Sequence, residues 1–250
     1  MTKKKKKRLN KRKIISLIFS LIFIVIICIS SVKIIKYLSD NKENRHIQKT
    51  TSKAISVIPD TENKYRIDFE TLKKQNEDAV AYIKVKGTKI NYIVVKGNDN
   101  LYYLDHNFNK ESNVSGWIFA DYHNKFNGKD KNIILYGHNT WDGSMFGSLR
   151  NIFDADWYNN KDSHKILFVT EEGTSYYQVF STYLIEPENY YITTEFSSAT
   201  EYENFLKSLK FRSLNTFDVE LDKDDQILTL STCSGDGKKR IVLHAKKIDV

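Results

Sequence analysis

The segment QILTLSTCSGDGKKRIVLHAKKI, residues 226–248, contains two apolar runs separated by a short polar loop with two glycines. Each run is rich in β-branched residues or alternates apolar with polar side chains, as strands do. A loop this short is typical of two neighbouring antiparallel strands. The segment therefore predicts a strand pair, with Cys233 at the end of the first strand and Arg240 at the start of the second.

The same patterns recur upstream of this pair. Further strands are predicted at AYIKVKG (81–87), INYIVVKG (90–97), GWIFA (116–120), NIILYG (132–137), KILFVT (165–170) and SYYQVFSTYLI (175–185). Helical patterns are fewer and occur over about 67–79, 145–153 and 199–210. Many strands, few helices and short connections favour a mainly β domain that closes into a barrel.

A long apolar segment precedes this domain. Residues 14–32, IISLIFSLIFIVIICISSV, carry no charge. As a helix they would be about 28 Å long, close to the roughly 30 Å hydrocarbon thickness of a bilayer and longer than the apolar part of a cleaved signal peptide. We expect a cytoplasmic basic tail (1–13), a retained transmembrane anchor (14–32), an extracellular stalk (33–66) and an extracellular domain (67–250). The protein would then be a single-pass protein of the cell membrane.

The net charge of +8 comes from the N-terminal tail. Nine of the 39 Lys and Arg residues lie within residues 1–13, so the rest of the chain has 30 of them against 31 Asp and Glu. A body this close to neutral gives no reason to expect nucleic acid as a partner.

Three residues suited to nucleophilic catalysis are predicted at strand ends. A thiol at the end of a strand, such as that of Cys233, is accessible enough to react. His138 follows the apolar run 132–137 and is a candidate acid and base, while Arg240 is a candidate for stabilising an oxyanion. The second cysteine, Cys28, lies in the expected anchor and cannot pair with Cys233. By residue type alone, a buried and inert Cys233 remains an alternative.

Longer sequence blocks around these residues resemble a known family. TLSTC (229–233), followed by Arg240, and the upstream YGHN (136–139) are similar to sortases, the membrane-anchored cysteine transpeptidases of Gram-positive bacteria. Blocks resembling class B of that family follow in the same order, namely NYIVVKGNDNLYYLDHNFN (91–109), GWIFADYHN (116–124) and NIILYGHNTWDGSMFGSL (132–149). The resemblance extends over residues 67–250.

The resemblance implies an eight-stranded β-barrel, with the helix at 199–210 inside a loop used for substrate recognition. It implies that Cys233 is the nucleophile, His138 the catalytic histidine and Arg240 the catalytic arginine. Ser231 and Thr232 are expected to contact substrate.

The reaction implied is transpeptidation, in which a C-terminal sorting signal is cleaved after threonine and the acyl group is joined to an amine of a peptidoglycan precursor. Surface proteins would thereby be anchored to the cell wall. Class B enzymes often process Asn-Pro-type signals on haem-uptake proteins, so such signals are among the candidate substrates.

Two positions depart from the class B pattern. Ile93 stands where proline is common, and Ser234 stands where an acidic residue is common, which leaves the substrate preference open. Two other functions fit the residues. One is a membrane-tethered cysteine peptidase that transfers the acyl group to water, and the other is a non-catalytic extracellular binding module with a structural Cys233.

No metal or other cofactor is expected. His106, His123 and His164 lack the spacing of metal ligands and are predicted to lie at the surface or in turns. His244 lies within the last predicted strand, where it is expected to be packed or exposed in the sheet and not to be catalytic. The acidic run at 222–225 lacks the spacing of a calcium loop.

Overall fold

The computed structural model describes three ranges of the chain, residues 11–57, 65–233 and 239–249, with the backbone alone of Cys233. Ser234, most of the predicted basic tail and part of the predicted stalk lie outside the described residues. The chain divides into two compact units between Asp40 and Asn41.

The first unit is formed by helix α1 (Lys11–Thr51) up to Asp40. The side chains of residues 14–32, the predicted anchor, are all exposed. In the described part of the chain, α1 with the turn that follows it is the one helix long and apolar enough to cross a membrane. Because apolar side chains favour hydrocarbon over water, this helix is a candidate membrane span, in agreement with the sequence.

The last turns of α1 belong to the second unit. Ile47 is 4% exposed, and the Asn44 side chain donates hydrogen bonds of 3.1 Å to Asn113 Oδ1 and to the carbonyl oxygen of Gly116. The sequence predicts a stalk here, whereas the structure packs residues 41–51 of α1 against loops of the domain. A spacer role for residues 33–66 as a whole stays a prediction.

In the described residues after α1, the structure has ten strands and three further α-helices. In chain order they are β1 (Ile55–Val57), β2 (Tyr65–Ile67), α2 (Phe69–Gln75), β3 (Ala79–Val85), β4 (Asn91–Val95), β5 (Phe119–Ala120), β6 (Asn132–His138), α3 (Ala155–Asn159), β7 (Lys165–Thr170), β8 (Gly173–Ile185), α4 (Ala199–Phe211), β9 (Ile227–Cys233) and β10 (Arg240–Ile248). Short 3-10 helices occur at Ser52–Ala54, Tyr102–Leu104, Gly147–Phe153 and Lys161–His164.

Strands β3 to β10 form a closed barrel in the order β10-β8-β7-β3-β4-β5-β6-β9, which confirms the predicted eight-stranded fold. The pairs β4–β5 and β6–β9 are parallel, and the other neighbours are antiparallel. All positions from Ile133 to Tyr136 of β6 are buried. A strand covered on both faces needs an almost continuous apolar run, and this is what the sequence has there.

Helix α4 packs on the barrel through one face. Ser198 caps its first turn by accepting a hydrogen bond from the backbone N–H of Glu201. Tyr202, Leu206 and Leu209 are buried, at the spacing of a single helix face. The predicted helix at 199–210 is therefore confirmed almost residue for residue.

Candidate active site

The site is organised by the parallel pairing of β6 with β9. Successive residues of β6 pair with successive residues of β9, and the last pair places His138 directly opposite Cys233. Neighbouring strands lie about 4.8 Å apart, so the backbones of these two residues are adjacent. The predicted histidine and the predicted nucleophile thus emerge from neighbouring positions at one end of the barrel.

The imidazole of His138 is oriented by a backbone group. Its Nε2 lies 2.7 Å from the carbonyl oxygen of Leu104, and since a carbonyl only accepts, Nε2 must carry a proton. In the neutral ring this leaves the lone pair on Nδ1. The preceding Gly137 passes close to Phe146, because a Cβ at Gly137 would lie 2.9 Å from that ring. Glycine is therefore needed just before the histidine.

The loop that follows His138 is tied to helix α1. Arg45 Nη1 lies 2.6 Å from Asp142 Oδ2, and Lys89 Nζ donates to the Asp142 carbonyl oxygen at 2.7 Å. Burial raises the pKa of Asp142, but hydrogen bonds from Ser144 and the charge of Arg45 more than offset burial and lower the pKa below its usual value. The carboxylate is thus ionised at neutral pH and holds the loop beside the histidine.

Strand β10 brings Arg240 to the same end of the barrel. Antiparallel pairing with β9 is reinforced at this end, where the backbone N–H of Ile241 donates to Thr232 Oγ1 at 2.9 Å. The half-buried Arg240 donates through Nη1 to the Tyr191 hydroxyl at 3.2 Å and to the Glu188 carbonyl oxygen at 3.4 Å. The three strand ends that carry the predicted cysteine, histidine and arginine therefore meet.

A cleft of about 420 Å³ opens beside these strand ends. It is lined by Asn100, Leu101, Leu104, Phe119, Tyr136, Asn189, Ile192, Ser231, Thr232 and Arg240. Ser231 and Thr232, the predicted substrate contacts, are each 1% exposed and form part of its wall. A larger cleft, of about 530 Å³, is lined by residues at the start of β8 and the end of β10 and contains none of the predicted site residues.

A buried carboxylate that sequence analysis missed supports the wall of this cleft. Asp121 Oδ2 accepts hydrogen bonds from Asn100 Nδ2 at 2.8 Å and from the Tyr136 hydroxyl at 2.9 Å, and both donors line the cleft. Asp121 Oδ1 accepts from the backbone N–H of His123 at 3.0 Å. Burial raises the pKa of Asp121, but the hydrogen bonds from these three residues more than offset burial and lower the pKa below its usual value.

Replacing Asp121 by asparagine is expected to lower the free energy of unfolding at pH 7 by about 2 kcal/mol, the scale of hydrogen bonds to a charged group. Because the folded-state pKa is depressed, the contribution of Asp121 is complete above the ordinary value of about 3.9 and is lost as the pH falls through the folded-state pKa. Urea unfolding from pH 7 down to about pH 3 should therefore show the two proteins converging.

The exposed Asp156 offers a matched control, since Asp156→Asn should change stability by less than about 0.5 kcal/mol at any of these pH values. If the free energy of unfolding of Asp121→Asn stayed below that of wild type by the same amount across the pH series, this would contradict an ionised Asp121.

The other histidines divide between surface and core. His106 is partly exposed and His123 exposed, as predicted. His164 ends the short 3-10 helix Lys161–His164 and is not at the surface: it is 8% exposed, and its ring lies 5.0 Å from that of Phe217. Phe217 is distant in sequence, so local pattern gave no sign of this packing. His244, for which the sequence left open a packed or an exposed position in the sheet, is fully buried.

Known proteins resemble this chain in sequence and in fold. Residues 83–248 match the model of the sortase domain. Sortase B of Staphylococcus aureus (strain NCTC 8325 / PS 47) is 36% identical over 238 residues, which cover 93% of this chain and 96% of that protein. The crystal structure of sortase B from B. anthracis in complex with AAEK1 is 35% identical with a TM-score of 0.76, covering 85% of this chain and 100% of that one. A sortase B complexed with triglycine is 38% identical with a TM-score of 0.69, covering 73% and 86% of the two chains.

The chain belongs to the sortase family. The relatives and structural neighbours just described are sortases B, so within the family the chain falls in class B, as the sequence blocks predicted. It is accordingly a cysteine transpeptidase of the sortase B type.

Proposed function

We propose that this enzyme cleaves a C-terminal sorting signal after threonine and joins the acyl group to a cell-wall amine, using Cys233, His138 and Arg240. The observation that carries the proposal is the direct register pairing of His138 with Cys233, next to the start of β10 and to the cleft. The cleft would receive the sorting signal, with Ser231 and Thr232 in contact with it.

In the first half of the reaction, the thiolate of Cys233 attacks the carbonyl carbon of the substrate threonine. A C–S bond forms, the carbonyl oxygen becomes an oxyanion, and the guanidinium of Arg240 stabilises that charge. The C–N bond then breaks, and the imidazolium of His138 gives its proton to the departing amine. The products are a thioester on Cys233, the released C-terminal tail and a neutral His138.

In the second half, a primary amine of the acceptor attacks the thioester. The C–N bond forms, His138 takes a proton from the incoming amine, and Cys233 leaves as the thiolate. The Cys233–His138 ion pair is thereby restored. The complex of a sortase B with triglycine supports an acceptor of this chemical class.

The full-length protein in detergent, incubated with Asn-Pro-type and other threonine-containing signal peptides, tests this function. We expect cleavage after threonine and, with triglycine added, an amide product that replaces the hydrolysed acid. Hydrolysis alone, whatever the amine concentration, would indicate a tethered cysteine peptidase. Absence of cleavage, together with a thiol inert to reagent in the folded protein, would indicate a binding module.

We further propose that the enzyme spans the cell membrane once, with its N-terminus in the cytoplasm and the barrel outside. The apolar window of α1 and the nine basic residues at 1–13 support this orientation. A reporter active only outside the membrane, fused after Val250, should be active. An inactive external reporter alongside an active cytoplasmic one would overturn the orientation.

A further inference from the structure

One segment of five residues borders the cleft and is held from behind by buried polar groups. This segment, residues 189–193, follows β8 and is called here the cleft segment. Asn189 and Ile192 line the cleft. Tyr191, fully buried, places its hydroxyl 2.9 Å from Ser231 Oγ and 3.2 Å from Arg240 Nη1. The position of the cleft segment thus affects the cleft wall and the arginine together.

The hydrogen bonds behind the cleft segment have a fixed direction, which can be followed from Asn132. Its Nδ2 donates to the carbonyl oxygens of Tyr191 at 3.3 Å and Thr193 at 2.9 Å, so the amide orientation is determined. Asn132 Oδ1 therefore faces Thr229 and accepts the hydroxyl proton of Thr229 at 2.7 Å. Since Thr229 has a single hydroxyl proton, its oxygen can only accept from its other neighbour.

That other neighbour is His244. Thr229 Oγ1 lies 2.9 Å from His244 Nδ1, which must carry the proton. Burial lowers the pKa of His244 to about 3, so the ring is neutral at physiological pH and Nε2 is an acceptor. Nε2 accepts from the Tyr183 hydroxyl at 2.7 Å, and Tyr183 accepts from the Tyr190 hydroxyl at 2.8 Å. The chain of donors begins at Tyr190 and returns to the carbonyls of Tyr191 and Thr193, all three in the cleft segment.

The fold directs His244 into this position. The register of β10 against β8 shifts between His244 and Ala245, and such a bulge re-aims the side chains beside it. His244 is fully buried, with the ring of Phe180 stacked at 5.9 Å. At the outer end of the chain, the guanidinium of Arg212 lies 4.1 Å from the centre of the Tyr190 ring. A neutral imidazole donates from one ring nitrogen and accepts at the other, so it can join two hydroxyl groups within this apolar setting.

We propose that His244 is a positioning residue, which through Thr229 and Tyr183 holds the cleft segment in place and, through Tyr191, orients the guanidinium of Arg240. This inference rests on the proposed role of Arg240 in catalysis. A fully satisfied buried network of this kind imposes one arrangement, because any other leaves buried polar groups without partners. Small displacements of positioned groups are costly to catalysis, up to about 10²-fold for 1 Å.

The test compares Thr229→Val with Thr229→Ser in the full-length protein. Valine keeps the shape but removes the hydroxyl that joins His244 to Asn132, so kcat/KM should fall on the order of tenfold, while serine should restore most of it. Tyr183→Phe, which breaks the chain at another hydroxyl, should give a similar loss. Wild-type kcat/KM in both Thr229→Val and Tyr183→Phe would overturn the proposal.

NMR spectroscopy tests the direction of these hydrogen bonds without measuring turnover. Long-range ¹H–¹⁵N correlation spectra of ¹⁵N-histidine-labelled protein should show His244 as a neutral ring protonated at Nδ1 from pH 8 to pH 5. A proton on Nε2, or titration of His244 within that range, would contradict the assigned direction.

A matched control is the second buried histidine, His164, whose ring also packs among aromatic side chains but lines no part of the cleft. His164→Phe should lower the melting temperature and leave kcat/KM within about twofold of wild type. If wild type makes no amide product, or Arg240→Lys is silent, the proposed function fails. If both behave as proposed but Thr229→Val and Tyr183→Phe keep the wild-type kcat/KM, only the proposed role of His244 fails.

Discussion

Replacing Cys233 by alanine is expected to abolish transpeptidation while the barrel stays folded. Cys233 ends β9, and its backbone pairs in register with His138, so a thiolate at this position has its acid and base on the adjacent strand. Alanine has no nucleophile, and loss of the nucleophile in a protease costs on the order of 10⁶-fold in kcat. Quantifying amide product from a cleavable signal peptide and triglycine checks the loss, and circular dichroism checks the fold.

Two comparisons separate the nucleophile from a general effect of losing a thiol. Cys28, exposed on α1, is the matched control, and Cys28→Ala should keep wild-type turnover. A methanethiosulfonate reagent should inactivate the wild type, and dithiothreitol should restore activity. Turnover of Cys233→Ala within tenfold of wild type would show that the acyl intermediate forms elsewhere.

The barrel was predictable because each of its strands has a local signature. The apolar run of β6 and the apolar, β-branched start of β10 are readable without knowledge of their partners, and the structure confirms both strands. The strand predicted over 116–120 shortens to Phe119–Ala120, because Gly116 has a positive φ of 52° and Trp117 donates its backbone N–H to Tyr103 rather than to a strand. Strand ends depend on such long-range contacts.

The features that sequence analysis missed are polar groups buried through distant partners. Asn44 is hydrophilic, so its helix face showed no apolar stripe, yet it is buried because Asn113 and Gly116 supply hydrogen bonds. Asp121 likewise is an acidic residue, which in a sequence is normally expected at the surface. Its burial is tolerated because donors from three separate residues converge on it. Polarity in sequence predicts exposure only when such partners are absent, and partners become visible only in the fold.

Replacing Arg240 by lysine is expected to lower turnover by about 10²–10³-fold, the usual cost of losing an oxyanion donor, with little loss of stability. The guanidinium donates to the Tyr191 hydroxyl and the Glu188 carbonyl and carries five N–H groups in a rigid planar fork, whereas an ammonium cannot match this planar geometry. If Arg240 only formed an exposed ion pair, Arg240→Lys would leave turnover nearly unchanged, since such pairs contribute about 0–1 kcal/mol to stability. The exposed neighbour Lys239 is the control, and Lys239→Ala should leave kcat unchanged. Equal and small effects of the two substitutions, with Cys233 still reactive to thiol reagent, would place Arg240 outside the catalytic machinery.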